Sequence, residues 1–171
     1  MPAEHFTPLA LMTKLISFPT VSRDTNLPLV DWVESYLDSH GIAAHRVYDD
    51  TGKKAAIFAH VGPQEEGGIV LSGHTDVVPV DGQEWDTDPW TVTEEDGQYF
   101  GRATCDMKGF DALSIWALVE AHHRGIALFS RPVPLPGLVA RADRGAREVA
   151  GREARRERRD VDAARGRHDE E

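Results

Sequence analysis

The sequence predicts an α/β domain in which helices flank a mixed central sheet, and three observations lead to it. Two segments of helical apolar spacing open the chain. β-rich runs follow, and a further helical segment begins directly after a strand-and-loop stretch.

The first helix is expected around Leu9–Phe18, where Leu9, Leu11, Met12, Leu15, Ile16 and Phe18 recur at helical spacing and Pro19 closes the segment. A second helix is expected from Pro28 to His40. Leu29, Val30, Trp32, Val33, Tyr36 and Leu37 form its apolar face, with Gly41 at the C-terminal cap. Strands are expected at Ile42–Tyr48, Lys54–Val61 and Gly68–Ser72, separated by the turn formers Asp50-Thr51-Gly52 and Gly62-Pro63. Residues 91–102 read as a hairpin turning at Glu95-Asp96-Gly97. A third helix starts near Lys108-Gly109 and carries Leu113, Ile115, Leu118 and Val119 to Gly125. The run Ile69-Val70-Leu71 suits a strand covered on both faces at the sheet centre. Loops leaving such strands are where α/β domains build their sites.

Composition narrows the function classes. A chain of 171 residues with 40% hydrophobic content supports one domain with a proper core but not two large ones. No apolar run is long enough to span a bilayer, and the N-terminus MPAEHFTPLALM lacks the basic start and cleavage site of a secretory signal. The single cysteine, Cys105, excludes a disulfide framework and a multi-cysteine zinc knuckle. The expectation is a soluble cytoplasmic protein. A net charge of −10 argues against nucleic acid or an anionic membrane as partner.

Two constellations carry chemistry. In GIVLSGHTDVVPVDG, His74 and Asp76 follow a hydrophobic strand. Residues i and i+2 of extended backbone point to the same side, so both side chains can face one pocket. A neutral imidazole is a common zinc ligand, and a carboxylate often holds its second nitrogen. The same spacing also suits a turn-capping histidine and a solvated aspartate. In GRATCDMKGF, Asp106 lies between a strand end and a helix start, where its two oxygens could bridge two divalent cations or where it could cap the helix. Cys105 is a possible soft ligand, but packing beneath the loop suits it better. His122-His123 diverge by about 100° on a helix and suit its C-terminus rather than a shared metal. Trp85, Trp90, Tyr99 and Phe100 read as packing residues, and the acidic stretch Asp81–Asp96 as a solvated loop face.

Taken together, SGHTDVVPVDG, the W-x-x-x-P-W phrase at Trp85–Trp90 and GRATCDMKGF resemble the co-catalytic zinc aminoacyl hydrolases. That family includes the acetylornithine deacetylases, succinyl-diaminopimelate desuccinylases and bacterial glutamate carboxypeptidases. The resemblance covers about residues 8–126, roughly the first third of such an enzyme. Within the family, FPTVSRDTNLPLVDWV and TCDMKGF look most like the acetylornithine deacetylases. It implies a zinc-hydrolase catalytic domain, present here in part, that acts on a small N-acyl amino acid. It implies that His74 ligates one zinc, that Asp76 is the catalytic carboxylate orienting and polarising the imidazole, and that Asp106 bridges two zinc ions (cobalt being possible in their place). A cis peptide at Asp106–Met107 is implied as well. One departure is visible: Ala103 stands where the family usually has glycine, and its methyl would strain a left-handed backbone.

The resemblance also implies parts not legible downstream. A Glu-Glu pair normally follows on the next core strand, the first Glu as general base and the second as zinc ligand. A later His completes the second metal, and an inserted domain supplies dimer contacts. From spacing that strand should begin soon after Leu128, yet residues 127–171 show neither a β-run nor a Glu-Glu phrase after a strand, and the dimer domain is absent. His168-Asp169-Glu170-Glu171 has suitable letters but stands too late in the chain.

The charge distribution breaks at the same place. Residues 1–126 carry 8 Lys+Arg against 20 Asp+Glu, whereas residues 127–171 carry 11 Arg, no Lys and 9 Asp+Glu. The later stretch lacks Ile, Met, Tyr, Trp, Thr, Asn, Gln and Cys, and 23 of its residues are Arg, Ala or Gly, the vocabulary of a GC-rich gene read out of frame. The expectation is two regions: 1–126, the N-terminal part of a zinc-hydrolase catalytic domain, and 127–171, a helical or disordered charged tail in a non-native frame. Hydrolysis of N-acetylornithine to acetate and ornithine, in arginine biosynthesis, is then the lineage activity, with little or none expected from this truncated chain. A non-catalytic metal-binding or interaction fragment, and a related desuccinylase or peptidase-type hydrolase, are the alternatives.

Overall fold

The computed structural model describes residues 4–63 and 69–126 together with the backbone of residues 139–141. Helix α1 spans Pro8–Ile16; the Thr7 hydroxyl accepts the Ala10 N–H at 3.2 Å, and Pro8 needs no partner for its missing donor. Helix α2 spans Leu27–Ser39. Asn26 does not cap it with its side chain. Instead the amide donates to the Ala55 carbonyl at 2.8 Å and accepts from the Ala55 N–H at 3.0 Å, clamping the start of α2 to the sheet. Gly41, at φ +78°, takes the left-handed position that ends α2.

Strands β1 (Ala44–Tyr48) and β2 (Ala55–Ala59) form an antiparallel pair. β3 is Ser72–His74, β4 (Thr93–Glu95) and β5 (Gln98–Phe100) make a hairpin, and helix α3 spans Lys108–His123. Asp96 and Gly97, both at positive φ, form the hairpin turn the sequence predicts. A final strand, β6 (Val139–Arg141), lies between β2 and β3, antiparallel to the first and parallel to the second, in the order β1-β2-β6-β3. The sheet is therefore mixed, as predicted.

Two expectations are corrected. Residues 127–171 contribute a strand where none was legible: β6 is placed by backbone pairing, which needs no alternating apolar pattern. The run Ile69-Val70-Leu71 precedes β3 rather than forming it, and Ile69 is 71% exposed. β3 stands at the edge of the described sheet, not at its centre.

One apolar cluster joins all three helices to β2. Leu11, Leu15, Leu29, Val33, Leu37, Ile57 and Val119 are among its fully buried members, each worth about 1.5–3 kcal/mol of burial. Lys108 is also wholly buried. Its ammonium donates to the Phe18 carbonyl at 2.7 Å, pinning the start of α3 to the chain beyond α1. That contact fixes the loop preceding α3, where the site lies.

Candidate metal centre

β3 ends on His74, and the chain then runs beside residues 20–22. Val21 and Val77 form an isolated parallel bridge; the Val77 N–H donates to the Thr20 carbonyl at 2.9 Å and the Ser22 N–H to the Val77 carbonyl at 3.0 Å. The Thr20 hydroxyl donates to the Thr75 carbonyl. The segment following α1 thus stitches the loop after β3 in place.

The second wall is the loop from Gly101 to Met107. The Arg102 N–H donates to the Pro89 carbonyl at 2.7 Å, and its guanidinium lies 4.9 Å from the Trp85 ring and donates to Gln83. Ala103 has φ +74° and is buried against Val21, Val77 and Trp90, so the position expected to want glycine does adopt the left-handed conformation. A Cβ at Gly109 would stand 2.2 Å from the Thr104 carbonyl oxygen, which reserves that position for glycine. The Asp106–Met107 peptide is cis.

These two loops bring the imidazole and the carboxylate together. His74 Nε2 lies 3.0 Å from Asp106 Oδ1, and His74 Nδ1 lies 3.0 Å from the Asp76 carbonyl oxygen and 3.2 Å from Asp76 Oδ1. The Asp76 oxygens facing Nδ1 and the Asp106 oxygen facing Nε2 are all acceptors, so each ring nitrogen meets an acceptor, and a cation between Nε2 and Asp106 would take the place of a proton there. Burial pulls the His74 pKa down, but the Asp76 carbonyl and the Asp106 and Asp76 carboxylates outweigh it and leave it raised. Ser22 donates to Asp76 Oδ2 at 2.7 Å. The four side chains share a cavity of about 270 Å³ with Arg102 and Cys105.

The donor set suits a divalent cation. Two ligands at zinc distances of about 2.0–2.1 Å and tetrahedral angles stand about 3.3 Å apart, close to the His74–Asp106 separation. The orientation of Nδ1 toward a carboxylate is the arrangement that fixes a ligating histidine. Among the described residues no group of three or more His, Cys, Asp or Glu converges to complete a metal shell.

Other sequence expectations fare unevenly. Asp106 is not a helix cap: Met107 occupies that position, and the Asp106 side chain is 87% exposed. Cys105 is exposed on the cavity rather than packed beneath the loop, because the turn toward α3 carries it outward with Asp106. Tyr99 and Phe100 are exposed on the two-stranded hairpin, which no third strand covers among the described residues. Trp90 packs as expected. His122 and His123 diverge: His123 Nε2 meets His40 Nδ1 at 2.9 Å, whereas His122 lies against Gly41. Ser22 escaped sequence reading because nothing local marks a serine whose partner lies 54 residues away. The positions 168–171 lie outside the described residues. No helix among the described residues is long and apolar enough to cross a membrane.

A profile of peptidase family M20/M25/M40 matches residues 70–171, more than half of the chain. Acetylornithine deacetylase of Pasteurella multocida is 36% identical over 119 residues, 66% of this chain and 31% of that protein. Its counterpart in Myxococcus xanthus is 37% identical over 117 residues, 66% of this chain and 30% of that protein. Among solved structures, an M20 family metallo-carboxypeptidase from Sulfolobus solfataricus superposes with a TM-score of 0.65 at 16% identity, covering 80% of this chain and 31% of that one. Human carnosine dipeptidase 1 gives a TM-score of 0.56 at 21% identity, covering 79% and 31%. The structural likenesses show a shared fold. The chain spans about a third of the length of the curated relatives it matches.

Proposed function

The chain belongs to peptidase family M20/M25/M40, and on that premise we propose that it carries the first metal-binding elements of an amidohydrolase acting on a small N-acyl amino acid. N-acetylornithine is the favoured substrate, cleaved to acetate and ornithine in arginine biosynthesis in the cytoplasm. The observation that carries this reading is the 3.0 Å approach of His74 Nε2 to Asp106 Oδ1 inside one cavity. His74 and Asp106 would hold a zinc ion, with Asp106 able to reach a second through its other oxygen; cobalt suits the same donors. A bound metal there would supply Lewis-acid polarisation of an amide carbonyl and lower the pKa of water so that it loses a proton more readily before attack. Asp76 accepts the Nδ1 hydrogen and so fixes the tautomer that offers Nε2 to the metal. Ser22 in turn orients Asp76.

Among the described residues no glutamate lines the cavity, so the glutamate base that the family resemblance implies is not placed there. Loss of a general base costs about 10²–10⁴ in rate. Acetate release from N-acetylornithine by the zinc-supplemented chain tests the reading, with the acetylornithine deacetylase of Myxococcus xanthus alongside. The expected result is slow, zinc-dependent release, about 10² or more below the relative. Release unaffected by zinc would overturn it. Zinc uptake with no release at all would instead support the non-catalytic metal-binding fragment.

The division into 1–126 and 127–171 stands on composition, while the family match and β6 both cross it. We read the later region as out of frame. Sequencing the DNA around codons 126–132 tests this: another frame should restore a Glu-Glu phrase, and its failure to do so would end the idea.

A further inference from the structure

Asp111 lies one turn into α3, is only 2% exposed, and has no hydrogen-bond partner on either carboxyl oxygen. A buried carboxyl without partners costs stability that an apolar side chain of similar size would not. Packing alone therefore does not account for it. Its position does. A Cβ built on Gly73 would stand 1.9 Å from Asp111 Oδ1, 3.0 Å from its Cγ and 3.4 Å from Met107 Cε. The carboxyl thus occupies the space a side chain at position 73 would need, and the methionine following Asp106 borders the same space.

Gly73 immediately precedes His74 on β3, and α3 begins directly after the loop that carries Asp106. We propose that Asp111 is a positioning residue: seated against Gly73, it sets the depth at which β3 docks on α3 and so holds His74 within reach of Asp106. The proposal rests on the metal-site reading for its function, but its geometry does not need a metal.

The test pairs a steric insertion with its relief. Gly73→Ala is expected to weaken zinc binding, measured by calorimetry, by about tenfold or more. Gly73→Ala combined with Asp111→Gly, which removes the obstructing carboxyl, should recover most of that loss. Asp111→Asn keeps the shape and should bind zinc within about threefold of wild type. The same series is followed without metal by ¹⁵N spectra of the His74 ring at pH 8. There the ring shifts set by the Asp76 and Asp106 contacts should be present in wild type, perturbed in Gly73→Ala and restored in the double variant. If Gly73→Ala leaves both readouts unchanged, or the double variant fails to recover them while remaining folded, the proposal is overturned. Should Gly73→Ala fail to fold, Asp111→Asn decides: a folded variant that loses the ring signature contradicts a role of shape. A wild-type chain that ignores zinc but shows the ring series as described defeats the metal reading and leaves the positioning role standing.

Discussion

The hydroxyl of Ser22 donates to Asp76 Oδ2 at 2.7 Å while Oδ1 of the same carboxylate faces His74 Nδ1 at 3.2 Å. One carboxylate therefore links the segment after α1 to the imidazole that ends β3. Its orientation depends on both neighbours. A carboxylate tethered at one oxygen loses little further freedom when it holds the ring, so the ring is oriented before any cation arrives.

Replacing Ser22 by alanine removes the tether and leaves the hydrogen-bonded backbone of the Val21–Val77 bridge intact. Zinc affinity is expected to fall by about threefold to tenfold with little change in thermal stability. Calorimetry with a parallel melting curve checks it; an equal affinity would show that Asp76 holds the ring without help.

Ala103 weighs two opposed effects. Its left-handed backbone costs about 1–2 kcal/mol, which glycine would relieve, but glycine adds about 0.4–1 kcal/mol of unfolded-state entropy and gives up a buried methyl worth up to about 0.8 kcal/mol. Ala103→Gly is expected to change stability by no more than about 1 kcal/mol. Ala103→Val, which cannot adopt that backbone and overfills the pocket beside Trp90, should lose about 2 kcal/mol or more. Denaturant titration separates the two, and a tolerated valine would contradict the strained-loop view.

Burial pushes the Asp111 carboxyl up to about 7, so the folded state keeps its proton over a range where the unfolded chain, near 3.8, has released it. From about pH 4 to pH 7 the unfolded state therefore binds fewer protons, and this residue lowers stability as pH rises. Lys108, lowered by burial to about 8, is charged in both states across that interval and adds no slope of its own. Asp111→Asn should be progressively more stable than wild type as pH is raised from 4 to 7, by up to about 1.4 kcal/mol per pH unit. Parallel denaturation curves at pH 4, 5.5 and 7 test this; a constant difference would place the titration elsewhere.

The helices were legible because Leu11, Leu15, Leu29, Val33 and Leu37 recur at a spacing that only one helical face satisfies. The hairpin was legible because Asp96-Gly97 tolerates the positive φ its turn requires. β3 was placed too early because Ile69-Val70-Leu71 is the apolar part of the segment, whereas the paired part, Ser72-Gly73-His74, has little apolar character. β6 left no pattern because its place comes from backbone pairing on both edges. At the site, His74, Asp76 and Asp106 stood out through their positions after strand and loop. Ser22, Asp111 and the exposure of Cys105 depend on contacts between distant segments, to which no local spacing points.

Whether His74 and Asp106 grip one cation is decided most directly by titrating zinc into the chain at neutral pH and repeating it with His74→Ala and Asp106→Asn. Binding of micromolar or poorer affinity is expected, since two donors make an incomplete shell, and each substitution should weaken it by about tenfold or more. Affinity unchanged by both substitutions would contradict the account.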